Sequence, residues 1–154
     1  MPLPDLTRRL WSPRAERLVL CGLLRAPDLV APRVAAVLRP DDLYHWAHRV
    51  AYRRLLELYE AADPGPLDLY WRLRLTGELA DFGGAARFAA WAAGVLAEDP
   101  TGYWAVQAAE RVRWLARRRA VVRAAELAIR DAVDGVYGPD EYERLAVGLA
   151  AAGD

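Results

Sequence analysis

The sequence predicts an all-α protein, in which a compact multi-helix head is followed by an antiparallel hairpin of long helices. Pro and Gly mark nearly every point at which the apolar spacing breaks, and apolar residues recur at three- and four-residue intervals between these points. No segment shows a convincing strand pattern. A chain of 154 residues can bury one core, so we expect a single domain over residues 1–154, with the head at about 12–98 and the hairpin at about 100–152.

The head is predicted to begin at Ser12-Pro13. The serine hydroxyl can accept an orphan backbone N–H, and proline at the first helical position loses no intrahelical bond. This helix should run to Arg25, with Cys21 in the core. A second helix is expected over residues 29–38.

The rest of the head follows the same punctuation. A third helix is expected from the turn at Pro40 to about Tyr59, and Asp68 is predicted to cap a short fourth helix. Gly77 stands where a left-handed residue would end that helix. A further helix, carrying Phe88 and Trp91, completes the head.

One long helix is predicted next, because no Gly or Pro occurs between Tyr103 and Val133. A final helix is expected from Pro139 to about residue 150, antiparallel to the long one. The long helix carries an a/d pattern typical of a helix–helix seam. The seam residues are Val112, Leu115, Arg119, Val122, Glu126, Ile129 and Val133.

This seam predicts self-association, with a dimer as the minimum state, because a small head cannot cover so long a helix. A two-fold pairing would bring Arg119 near the middle of the interface. A buried guanidinium needs a carboxylate partner, and we expect Glu126 of the facing helix to supply it.

Composition narrows the function further. The formal net charge is zero, with 21 basic and 21 acidic side chains, so no global charge excess attracts nucleic acid or an anionic membrane surface. No run is long enough to suggest a membrane span, and the N-terminus does not resemble a signal peptide. With the lone Cys21, this predicts a cytoplasmic protein without membrane partners.

Chemistry-bearing residues are scarce, and we expect no catalytic residue, cofactor or metal. The chain has no lysine, one serine and two histidines. His45 and His48 lie three apart and could share a helix face, with Asp41 or Asp42 as a third metal ligand. Packing of His48 within the head is the favoured interpretation.

A basic helix face is the one feature of the sequence that suggests nucleic-acid binding. It supports an alternative function, as a free-standing arginine-rich nucleic-acid-binding or replication adaptor protein. Such a face can neutralise phosphates, and tryptophan can stack on bases. The competing interpretation is that arginine stems cover apolar surface of the hairpin, which we favour because acidic residues flank the run. The face comprises Arg111, Arg113, Arg117, Arg118 and Arg123, with Trp114.

Five short motifs occur along the head, and the long helix with Glu110-Arg111 follows them. The motifs are Ser12-Pro13-Arg14-Ala15-Glu16 before Gly22-Leu23-Leu24, Pro40-Asp41-Asp42-Leu43-Tyr44, His48-Arg49, Pro66-Leu67-Asp68-Leu69, and Gly77-Glu78-Leu79 before Gly83-Gly84. In this order and spacing, over about residues 12–150, the chain resembles the N-terminal domain of DnaB-type replicative helicases.

The resemblance implies a non-catalytic oligomerisation and protein-interaction domain acting in DNA replication. Its hairpins would pair between subunits, so that six domains form a collar of three dimers, and that collar would receive primase. The chain contains no G-x-x-x-x-G-K-[ST] motif, which excludes ATP hydrolysis by these residues. A helicase fragment and a free-standing relative both remain open.

Overall fold

The computed structural model describes residues 6–61 and 64–135, with isolated positions between 140 and 150. The described residues form α-helices and short 3₁₀ turns and include no strand, so the all-α prediction is confirmed. The six α-helices found there are α1 (Pro13–Arg25), α2 (Pro27–Val37), α3 (Trp46–Ala61), α4 (Pro66–Leu75), α5 (Ala85–Leu96) and α6 (Ala105–Val133).

The chain divides into two compact units. The head comprises Ser12–Arg113, and the terminal unit combines the described residues before Ser12 with those from Trp114 onward. In the head, α1 packs against α2, α3 and α5, and α3 packs against α4. The head core continues into the first turns of α6 as far as Val112, beyond the predicted head boundary at residue 98.

The first helix forms as predicted. The Ser12 hydroxyl accepts a hydrogen bond from the backbone N–H of Ala15, and Pro13 occupies the first turn. Cys21 is fully buried, which confirms its place in the core. Its thiol donates to the backbone carbonyl of Asp99 at 3.1 Å, so α1 is tied to the segment that leads into α6.

Three predicted boundaries were wrong. α2 begins at Pro27 instead of residue 29, and the turn at Pro40–Asp42 is a separate 3₁₀ turn, so α3 begins only at Trp46. Asp68 is not the N-cap of α4. Gly65 holds that position, and the Asp68 carboxylate, three residues into the helix, accepts its N–H at 3.2 Å.

Glycine permits a close approach between α1 and the start of α6. A Cβ on Gly22 would lie 2.3 Å from the Cβ of Ala105 and 3.3 Å from the carbonyl oxygen of Gly102. Gly102 itself has a φ of 70°, in the left-handed region that glycine adopts without strain. Gly22 and Gly102 therefore allow α1 to pack closely against the start of α6.

The long helix is confirmed over Ala105–Val133. Gly135 follows it with a left-handed φ of 67°, as expected for a glycine-terminated helix. The predicted final helix lies largely outside the described residues, as does its predicted start at Pro139.

Candidate protein-interaction surfaces

A buried carboxylate organises the head. Glu16 of α1 is 1% exposed, and its two oxygens accept the backbone N–H groups of Tyr44 and His45, just before α3 begins. One of these oxygens lies 2.7 Å from Nδ1 of His48, in the first turn of α3. Glu16 therefore satisfies orphan donors at the start of a helix that is distant in sequence.

The electrostatics of this cluster favour the ionised carboxylate. Burial raises the pKa of Glu16, but the hydrogen bonds from His48 and the two backbone N–H groups outweigh it and hold the pKa below its ordinary 4.5. Burial, together with the charge of His48, lowers the pKa of His45 below 6.5. The cluster is thus an ionic tie between α1 and α3, and the packing interpretation of His48 is confirmed.

Val112, the first residue of the predicted seam, is buried in the head core. Leu115, in the terminal unit, is also buried within the single chain. The expectation that these two side chains are exposed for a second chain is wrong, because the protein's own fold covers this part of α6.

Arg119 has a partner different from the predicted one. It is 3% exposed, and its Nη1 donates to the backbone carbonyl of Leu10 at 2.6 Å, within the terminal unit. The Arg119 guanidinium, which was expected to pair with Glu126 of another chain, therefore donates a hydrogen bond to a backbone oxygen of its own chain. Sequence patterns do not predict this contact, because Leu10 is 109 residues away from Arg119.

The last turns of α6 keep the predicted seam accessible. Val122 and Glu126 are half-buried. Ile129 is 53% exposed and Val133 is 80% exposed. These four residues are the part of the seam that another chain can reach, and their pairing remains a prediction.

The arginines of the predicted basic face have mixed surroundings. Arg111 is exposed and Arg113 half-buried in the head. In the terminal unit, the Arg118 guanidinium stacks over the Trp114 ring at 4.6 Å. Arg117 and Arg123 are also exposed. The arrangement covers an aromatic face with a guanidinium, and nucleic-acid binding there stays a prediction.

The head has a surface cleft of about 560 Å³ between the start of α1 and the start of α6. Glu98 in this cleft is ion-paired with Arg17 and, at 3.7 Å, with Arg14. The Glu98 carboxylate therefore connects α1 to the segment that follows α5. No group of three metal-ligating side chains occurs in the part of the chain that the structure describes.

None of the described helices is long and apolar enough to cross a bilayer.

The surface that sequence reasoning missed lies on α4. Leu67, Trp71 and Leu75 are all exposed there. Their four-residue spacing was visible in the sequence, but a second apolar set on the same helix concealed which side is buried.

The fold and these surfaces define an all-α type of domain in which a helical head continues into one long helix. Comparison with known proteins narrows this class. The family model "DnaB-like helicase N terminal domain" matches residues 9–108. The chain belongs to this family of replicative helicase domains.

A solved structure supports the same assignment. It is the N-terminal domain of DnaB helicase from Mycobacterium tuberculosis, to which the chain is 27% identical with a TM-score of 0.78. The match covers 93% of this chain and 96% of that one. The likeness therefore extends along nearly the whole of both chains.

Proposed function

We propose that the chain is a non-catalytic oligomerisation and protein-interaction module of a DnaB-like replicative helicase. The observation that carries this proposal is the exposure of Ile129 and Val133 on the long helix α6, beyond the head core. The family membership supports it.

The proposed contact is a pairing of the distal part of α6, from Val122 to Val133, with the same part of a second copy. Burying one Val or Ile side chain contributes about 1.5–3 kcal/mol, and both copies would bury theirs. This gain opposes the several kcal/mol of translational and rotational freedom that association costs, about 4–15 by current estimates. A dimer is the minimum state, and a trimer of dimers is the higher assembly that we propose.

The assembled collar is proposed to carry helicase subunits and to dock primase, as the family assignment suggests. Direct DNA binding is not part of this proposal. The basic and acidic side chains of the chain balance, and Arg118 already lies over the Trp114 ring. Assembly is therefore the function to test first.

Light scattering at tens of micromolar protein tests the proposal. The variant Ile129→Asp plus Val133→Asp places charges on the exposed end of the seam, and Leu29→Asp, on an exposed leucine of the head, is the matched control. We expect the wild type and the control to be dimeric or larger and the double variant to be monomeric.

A monomeric wild type, or a double variant that assembles as well as the control, would overturn the proposal. Circular dichroism of each variant shows whether the helices persist. Leu115 is avoided in this design because it is buried, so an aspartate there would destabilise the fold itself.

A further inference from the structure

The helix α4 is apolar on two opposite faces. Leu69 and Leu73 are fully buried in the head core. Leu67, Trp71 and Leu75 follow one another at four-residue intervals, and about 100° per residue places them on the far side of the helix from the buried pair. They are 66%, 48% and 83% exposed, respectively.

A helix that is apolar on all sides is normally covered on all sides. In the described chain only the Leu69 side of α4 is covered. The other side presents two leucines and a tryptophan in a row about 12 Å long, from the helical rise of 1.5 Å per residue. An exposed apolar row of this kind, bordered by polar groups, marks an interaction site.

Two arginines and one aspartate border this row. Arg74 lies over the Trp71 ring at 5.3 Å. At about 100° per residue, Arg72 falls on the opposite side of the row from Arg74. Neither guanidinium has a carboxylate partner among the described residues. The one carboxylate of α4, on Asp68, is engaged by the N–H of Gly65.

We propose that this outer face of α4 is a docking surface for an acidic amphipathic helix of a partner protein. Apolar side chains of that helix would pack on Trp71 and the two leucines, while its carboxylates would meet Arg72 and Arg74. A second copy presenting the accessible part of α6 fits less well, because Arg123 and Arg130 there are balanced by Glu126 and Asp131 and so offer no net negative charge to Arg72 and Arg74.

A synthetic peptide tests the docking surface without requiring a known partner. The probe is a fluorescently labelled helix of about 14 residues, or four turns, with leucine at three- and four-residue spacing and glutamate elsewhere. The matched probe has lysine in place of every glutamate. We expect the full chain to bind the acidic probe at least tenfold more tightly than the basic probe, and to lose affinity as salt rises from about 0.1 M to 0.5 M.

Variants of the full chain locate the binding. Trp71→Ser, which removes the central aromatic contact, is expected to weaken binding of the acidic probe by about tenfold or more. Arg72→Glu plus Arg74→Glu should reverse the preference between the probes. Leu29→Ser, on an exposed leucine of α2, is the control and should leave binding unchanged.

Equal affinity for the two probes, or binding that survives Trp71→Ser, overturns the proposal. It is also overturned if Trp71→Ser lowers the molecular mass in light scattering, because the face would then be covered by a second copy. Assembly through α6 can succeed or fail independently, since none of these variants lies on α6.

Discussion

The head and the terminal unit bury their side chains to very different extents. In the head, leucine, valine and tyrosine side chains close a continuous core, and even the buried Glu16 has hydrogen bonds to both of its oxygens. In the terminal unit, Leu115 and Arg119 are buried, while Leu127, Ile129 and Val133 remain exposed.

One a/d pattern therefore serves two purposes along a single helix. The first turns of α6 carry apolar residues that complete the head core, such as Ala109 and Val112. The last turns carry residues of the same type that nothing in the described chain covers. We therefore expect head substitutions to change the free energy of unfolding, and distal α6 substitutions to change assembly.

The largest effect is expected at Glu16. Glu16→Ala removes the acceptor of two partly buried backbone N–H groups and the hydrogen-bond partner of the buried His48 ring. Hydrogen bonds to a charged group contribute about 1.5–3 kcal/mol each, so losing the three contacts of Glu16 should lower the free energy of unfolding by about 3–5 kcal/mol. Urea unfolding followed by circular dichroism measures the loss.

Acid titration separates the ionic contribution from simple loss of packing. Because the pKa of Glu16 is lower in the folded state than its ordinary 4.5, its stabilising contribution is complete above about pH 4.5 and is lost as the pH falls below it. The lowered pKa of His45 also makes the folded state less stable as the pH falls below 6.5, because the unfolded chain binds that proton more readily. A difference between wild type and Glu16→Ala that stays constant down to pH 3 would contradict the ionic tie.

The next largest effect is expected where α1 meets the start of α6. Gly22→Ala would place a methyl group 2.3 Å from the Cβ of Ala105, and neither atom belongs to a flexible side chain. Overpacking of this kind costs about 1–3 kcal/mol. Thermal unfolding should show a lower Tm.

Gly94→Ala is the matched control, because a Cβ there meets nothing within 4 Å and α5 is helical at that point. It should be neutral or stabilising, since alanine favours a helix by about 1 kcal/mol over glycine. A Gly22→Ala protein as stable as this control would show that α6 can move away from α1 at little cost.

The smallest effect on unfolding is expected at the end of α6. Ile129→Ser or Val133→Ser, measured at a protein concentration where the chain is monomeric, should change the free energy of unfolding by less than about 0.5 kcal/mol. Both side chains are mostly exposed. A loss of several kcal/mol would mean that these residues belong to the chain's own core and would remove the contrast between the two units.

The sequence alone determined the features that depend on neighbouring residues. The Ser12-Pro13 start of α1 and the extent of α6 between Tyr103 and Val133 could be predicted, because capping, proline and glycine act over a few residues. The order of motifs was also sufficient for the family assignment.

Which apolar and charged residues are covered depends on long-range packing and could not be predicted from the sequence. Glu16 meets the start of α3 across 28 to 32 residues, and Arg119 meets Leu10 across 109. Val112 and Val133 occupy equivalent positions of one repeat, yet the first is buried and the second exposed. Helical periodicity fixes the side of a helix on which a residue lies, whereas burial depends on whether another element packs against that side.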